Sequence, residues 1–179
     1  MAYPEIELKG PDMRLALVAA LTASPAFAAT GEDAVSALQA HCLAPLEAGT
    51  ALGEGLTRAV PEMEARLLDN KAARIFRTED PSIVVVAHDS GETCEIMAIG
   101  TRPSDFDTAF RAWLGGQADY RINVEAAMGD VKPGGAYIAR KVGEAYVQAF
   151  IQTHPESGFV GITASRVESS ASADELFGE

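Results

Sequence analysis

The chain has 179 residues, 47% of them hydrophobic, with 14 Lys and Arg against 26 Asp and Glu and a formal net charge of −12. That length suits a single domain, and the apolar share is enough to bury a core. So acidic a balance repels phosphate backbones, which argues against a nucleic-acid partner.

The first feature in chain order is a leader-like segment. Met13-Arg14 supplies a positive charge, and Leu15 to Ala23 is an apolar run without a charge. Pro25 then breaks it, and Ala26-Phe27-Ala28 gives a small-x-small pattern. Together these predict a secretory signal over residues 1–28, cut after Ala28. The run is far shorter than the roughly 20 apolar residues of a bilayer span. Residues 1–12 carry Glu5, Glu7 and Asp12 against a single Lys9, a poor positive region. Translation is therefore expected to start at Met13. With no cysteine near Ala28 and no arginine pair, the expected product is a soluble periplasmic or secreted protein, with no integral span after cleavage and no lipid anchor. The domain is expected over residues 29–167.

A first helix fits Glu32 to Leu43, closed by Pro45. "EAGTALGEG" reads as a loop. Pro61 followed by Glu62 and Glu64 predicts a second helix to about Asp69. The pattern then changes to strands, the first being "ARIFR". "SIVVVAHD" and "ETCEIMAIG" flank Ser90-Gly91, a hairpin turn that pairs Ala87 with Cys94 and Val85 with Ile96. On the opposite side of that hairpin Val86 faces Glu95, and His88 faces Thr93.

"RPSDFDTAFRAWLGG" predicts a helix capped by Ser104, with Asp107 three residues on and an apolar stripe of Phe106, Phe110, Trp113 and Leu114. Gly115-Gly116 ends it. Four strand-like segments follow: "YRINVEAA", "AYIARKV", "AYVQAFIQT" and "FVGITASRV". Gly143-Glu144 joins the middle two as a tight hairpin. Residues 168–179 are polar and acidic and are expected to form a flexible tail. The connections are too short for parallel crossovers. The fold class expected is α+β: one antiparallel sheet of 6–7 strands with 2–3 helices packed mainly on one face.

Cys42 and Cys94 are the only cysteines. In an oxidising compartment such a pair forms a disulfide. Val35, Leu38 and Cys42 share a helical face, so the bridge is expected to clip a helix to the strand holding Cys94; two buried free thiols are the alternative. The "HCLAPLEAG" and "TCEIM" segments, in Ala-rich surroundings, resemble small exported bacterial proteins of uncharacterised families with a helix cysteine followed by a strand cysteine. The resemblance covers residues 29–167 in outline and implies no activity.

The chain lacks the phosphate-loop, dinucleotide, nucleophile-elbow and zinc-protease motifs. Gly53-Glu54-Gly55 places an acid where a phosphate would sit. His41, His88 and His154 are the only histidines, and their surroundings give no reason for them to converge on a metal. Asp105 and Asp107 suit a helix N-terminus better than paired-carboxylate catalysis. No metal site, catalytic set or cofactor is expected. One candidate surface remains, the face of the 137–150 hairpin that carries Tyr137, Lys141, Tyr146 and Gln148. Ordinary cross-strand packing under a helix or loop is the competing explanation. Arg140, on the opposite, aliphatic face, is the odd residue, either snorkelling to the edge or buried in an ion pair.

The leading functional expectation is a non-enzymatic exported binding or envelope-accessory domain with a protein or small-molecule partner. The alternative is a small periplasmic hydrolase, which predicts His88 or His154 close to carboxylates. A third expectation is a subunit that pairs through its sheet edge.

Overall fold

A computed structural model describes residues 28–60, 64, 72–123, 136–154 and 158–178 of the chain. The expected leader and most of the expected 61–69 helix lie outside these residues. The elements run in chain order as α1 (Gly31–Leu38), a π-helical turn (Gln39–Leu43), α2 (Ala44–Ala48), β1 (Thr57–Arg58), β2 (Ala73–Arg77), β3 (Ile83–His88), β4 (Thr93–Ile99), α3 (Pro103–Gly115), β5 (Arg121–Asn123), β6 (Ala136–Val142), β7 (Ala145–His154), β8 (Phe159–Val167) and α4 (Ala171–Phe177).

Among the described residues eight strands form one antiparallel sheet in the order β1-β2-β3-β4-β8-β7-β6-β5. This is the α+β, single-sheet architecture expected, with more strands than the 6–7 foreseen. The two-residue β1 lies in a stretch with no alternating pattern, where β2 recruits it as an edge. Among the described residues the outermost strands are β1 at one side and β5 at the other.

Both hairpin registers follow the expected pairing. Val85 faces Ile96 and Ala87 faces Cys94. Val142 faces Ala145, Arg140 faces Val147 and Tyr137 faces Phe150. The β3–β4 turn closes with a bond from the Gly91 amide to the His88 carbonyl, and Gly91 and Gly143 both take a positive φ that side chains resist.

One sheet face is covered by α1, α2 and α3. Thr30 caps α1, its hydroxyl accepting from the Asp33 amide while the Asp33 carboxylate accepts from the Thr30 amide. Val35, Leu38, Cys42, Leu43 and Leu46 turn inward onto Val85, Ile96, Val147 and Ile162. Phe106 and Phe110 of α3 join this core, stacked at 5.6 Å. Each such buried side chain contributes roughly 1.5–3 kcal/mol relative to exposure. The α1 and α3 backbones touch at Gly31, where a Cβ would stand 2.3 Å from the Asp105 carbonyl oxygen.

Three local features differ from expectation. Pro45 does not close the first helix; the rod continues to Ala48. Proline has no N–H for the His41 carbonyl four residues back, and the ladder widens there into the π turn, with the Ala44 amide donating to the Gln39 carbonyl. Ser104 is not the cap of α3. Pro103 takes the first helical position, so Arg102 is the extended N-cap and Ser104 lies one residue inside. The C-terminal segment, expected to be a flexible tail, forms α4. Ser170 caps it, Ala173 is fully buried and Phe177 stacks on Tyr146. Its three apolar side chains among acids gave too weak a stripe to read. Because α4 lies on the other sheet face, the helices are divided between both faces.

Candidate functional site

The disulfide and one polar cluster anchor the helical layer. Cys42 and Cys94 are bonded with Cα atoms 5.5 Å apart, and both are fully buried. The bridge joins the π turn to β4, as the helical face of Val35, Leu38 and Cys42 implied. Below it, Arg140 reaches from β6 to Glu47 at 2.8 Å and Asp119 at 3.2 Å, with its guanidinium 5.9 Å from the Tyr120 ring centroid. Glu47 also accepts the Tyr120 hydroxyl. Burial pushes the Tyr120 phenol well above its ordinary value, and its bond to the Glu47 carboxylate adds to that. Arg166 of β8 donates to the Leu46 and Glu47 carbonyls, closing the C-terminal end of α2. Of these residues only Arg140 stood out in the sequence. Glu47, Asp119 and Tyr120 lie in unrelated segments, and no spacing connects them. Every charge here is paired, and the cluster bolts helix to sheet.

The opposite sheet face is different. Alternation along the strands places Ile75, Val86, Glu95, Thr163, Phe150 and Tyr137 in one rank across the sheet. The neighbouring rank holds Thr93, Ser165, Gln148 and Ala139. Polar side chains therefore gather at the centre, where β4, β8 and β7 meet. His88 Nε2 and Glu95 Oε1 lie 2.7 Å apart, with side chains 24% and 30% exposed. The Tyr137 hydroxyl donates to Gln148 Oε1 at 2.9 Å, and Gln148 Nε2 donates to Ser165 Oγ at 3.2 Å. Thr163 and Gln152 are exposed on this face, and Met97 and Phe150 are half-buried.

Apolar clusters flank this polar centre. Ala59, Ile75 and Val86 form one beside β2. Tyr137, Ala139, Tyr146 and Ala173 form the other, with Phe150, Leu176 and Phe177 against it. The four residues expected to form a recognition surface divide accordingly. Lys141 is exposed, its Nζ 5.8 Å from the Tyr146 ring centroid. Tyr137, Tyr146 and Gln148 are buried, at 0%, 3% and 8% exposure. The face exists in the register foreseen, but α4 covers its aromatic end, so those rings are not exposed. Burial pushes the Tyr137 phenol up, a hydrogen bond with Ser170 draws it back, and the Asp174 carboxylate raises it further.

His41 is half-buried beside the disulfide, and desolvation lowers its pKa. His154 ends β7 in register with Phe159. His88 pairs with the Glu95 carboxylate. Among the described residues no group of three or more His, Cys, Asp or Glu side chains is placed to hold a metal, and no helix is long and apolar enough to cross a membrane. Compared with known proteins, the chain matches no family model, no curated protein and no solved structure.

Proposed function

We propose that the chain is exported to the periplasm or beyond the cell and acts there as a binding domain, with the centre of the sheet face opposite α1–α3 as its recognition surface. The observation that carries this reading is the contrast between the two faces. One is sealed by three helical segments. The other presents His88, Glu95, Thr163 and Gln152 to solvent between two apolar clusters. Mixed polar and apolar surface of this kind suits a specific interface. Export is supported by the bonded Cys42–Cys94 pair. It is supported also by Ala29, directly after the expected cut, whose amide donates to the Ile99 carbonyl and whose carbonyl accepts from Thr101.

The test is a photo-crosslinking amino acid placed singly at Thr163, Gln152, Ser36 or Ala112 in producing cells. The first two lie on the face opposite α1–α3, and the last two are exposed on α1 and α3. A discrete partner adduct from 163 and 152 and not from 36 and 112 supports the reading. Equal yields from all four would overturn it.

A second reading, a small hydrolase, draws on the His88–Glu95 pair, since a carboxylate-oriented imidazole is a general-base arrangement. Thr93, Thr163 and Ser165 supply hydroxyls on the same face. Ester or amide turnover abolished by His88→Ala and strongly reduced by Glu95→Gln would favour it. Turnover unchanged in both would remove it.

A further inference from the structure

We propose that the aromatic bed of Tyr137, Tyr146 and Phe150 is a helix-docking seat, that α4 occupies it as a displaceable lid, and that an amphipathic helix of a partner protein takes the same seat. This rests on the face opposite α1–α3 being the recognition surface, and it extends that surface beneath α4. The two are continuous: the bond chain from Tyr137 through Gln148 to Ser165 starts under α4 and ends at the open polar centre.

The lid is built as a separable unit. It is seven residues long, with Ser170 accepting from the Ala173 amide at one end and Gly178 left-handed at the other. A helix this short is marginal in water, so its helicity depends on the seat. Its covalent connection to β8 is the three-residue segment 168–170.

The seat specifies its occupant. Ala173, Leu176 and Phe177 are the side chains that α4 lays on the bed, an i, i+3, i+4 pattern. Ala173 is fully buried in one cluster with Tyr137 and Ala139. Phe177 meets Tyr146 at 5.6 Å. A partner helix with a small residue followed by two large apolar ones at the same spacing makes the same contacts, the helix-in-groove mode. The Asp174 and Glu175 side chains on α4 show that acids are tolerated on the seat's outer side.

Hydrogen exchange on the full chain tests the lid without needing the partner. In the unmodified protein, α4 amides should exchange at least tenfold faster than those of β7, after correction for intrinsic rates. Exchange of both at one common rate, set by global unfolding, would overturn the proposal. Ala173→Glu places a charge in the seat contact and should strip protection from α4 while β6, β7 and β8 keep theirs. A synthetic peptide with the sequence of residues 168–179 should then bind this variant at least tenfold more tightly than the unmodified chain, whose seat is filled. Loss of protection in β6 and β7 along with α4, failure of the variant to fold, or a peptide that binds neither protein would each overturn it. None of these outcomes affects the crosslinks expected at Thr163 and Gln152, so the two readings fail separately.

Discussion

Replacing both cysteines, Cys42→Ala with Cys94→Ala, should lower stability by about 4 kcal/mol. The bridge spans 52 residues of sequence, and in the chain-entropy model a loop of that size removes about 14 cal/mol/K from the unfolded ensemble, or about 4 kcal/mol at 25 °C. Alanine is the appropriate replacement, because both positions are fully buried and serine would bring a hydroxyl that needs a partner. Loss of two sulfur atoms adds a smaller cavity term. For a domain of this size each kcal/mol moves the midpoint by roughly 2–4 °C, so the thermal transition should fall by about 8–16 °C. Thermal unfolding followed by circular dichroism reads this directly. Chain reduced in denaturant and refolded with reductant should melt with the double variant. A variant melting within about 3 °C of the oxidised protein would refute the view that the bridge contributes about 4 kcal/mol to the tie between helix and sheet.

Other consequences concern local geometry. Gly31→Ala should destabilise by about 1–3 kcal/mol in urea unfolding, even though alanine is the better helix former, because its Cβ meets the Asp105 carbonyl. A neutral or stabilising result would mean the α1–α3 approach is looser than described. Glu47→Leu leaves Arg140 with only Asp119 and the Tyr120 hydroxyl without its acceptor. It should cost about 1–3 kcal/mol by the same assay. Glu64 is held down to about 2 by the Arg58 guanidinium and the Ile75 amide, from an ordinary 4.5. The folded value lies below the unfolded one, so the stabilisation is present above about pH 4.5 and is lost as pH falls through about 2. Glu64→Gln should flatten that part of the acid-unfolding curve and leave the neutral range unchanged in slope. His41 has a lowered value from burial. The folded protein therefore resists protonating it, stability declines as pH falls below the ordinary 6.5, and His41→Gln should reduce that decline in a series of urea titrations.

Much of the sheet was legible because its registers follow from short-range rules. Ser90-Gly91 and Gly143-Glu144 set the pairing of Val85 with Ile96 and of Ile138 with Ala149, and alternation then assigns each side chain to a face. The same logic placed Glu95 and His88 on the face away from the helices, where the structure pairs them. The Cys42–Cys94 link was legible from one helical face and one strand. What escaped depends on contacts distant in sequence. The Glu47–Tyr120–Arg140 cluster draws on three segments whose proximity only the fold creates. The π turn escaped because Pro45 reads as a terminator unless the neighbouring ladder can widen. Most consequential was α4. Its segment is hydrophilic overall, and Ala173, Leu176 and Phe177 gain meaning only from the bed that receives them. The sequence therefore left that face between an open recognition surface and packing under a helix or loop, and α4 is the element that covers its aromatic end.

The central claim is that recognition occurs on the sheet face that α1–α3 leave free. Its most direct test is amide chemical-shift mapping of the purified protein, titrated with the partner captured from Thr163. Perturbations centred on Glu95, Met97 and Thr163 and spreading to Gln152 are the predicted result. Perturbations centred on Ser36, Arg111 and Ala112, on the outer side of the helical layer, would contradict it.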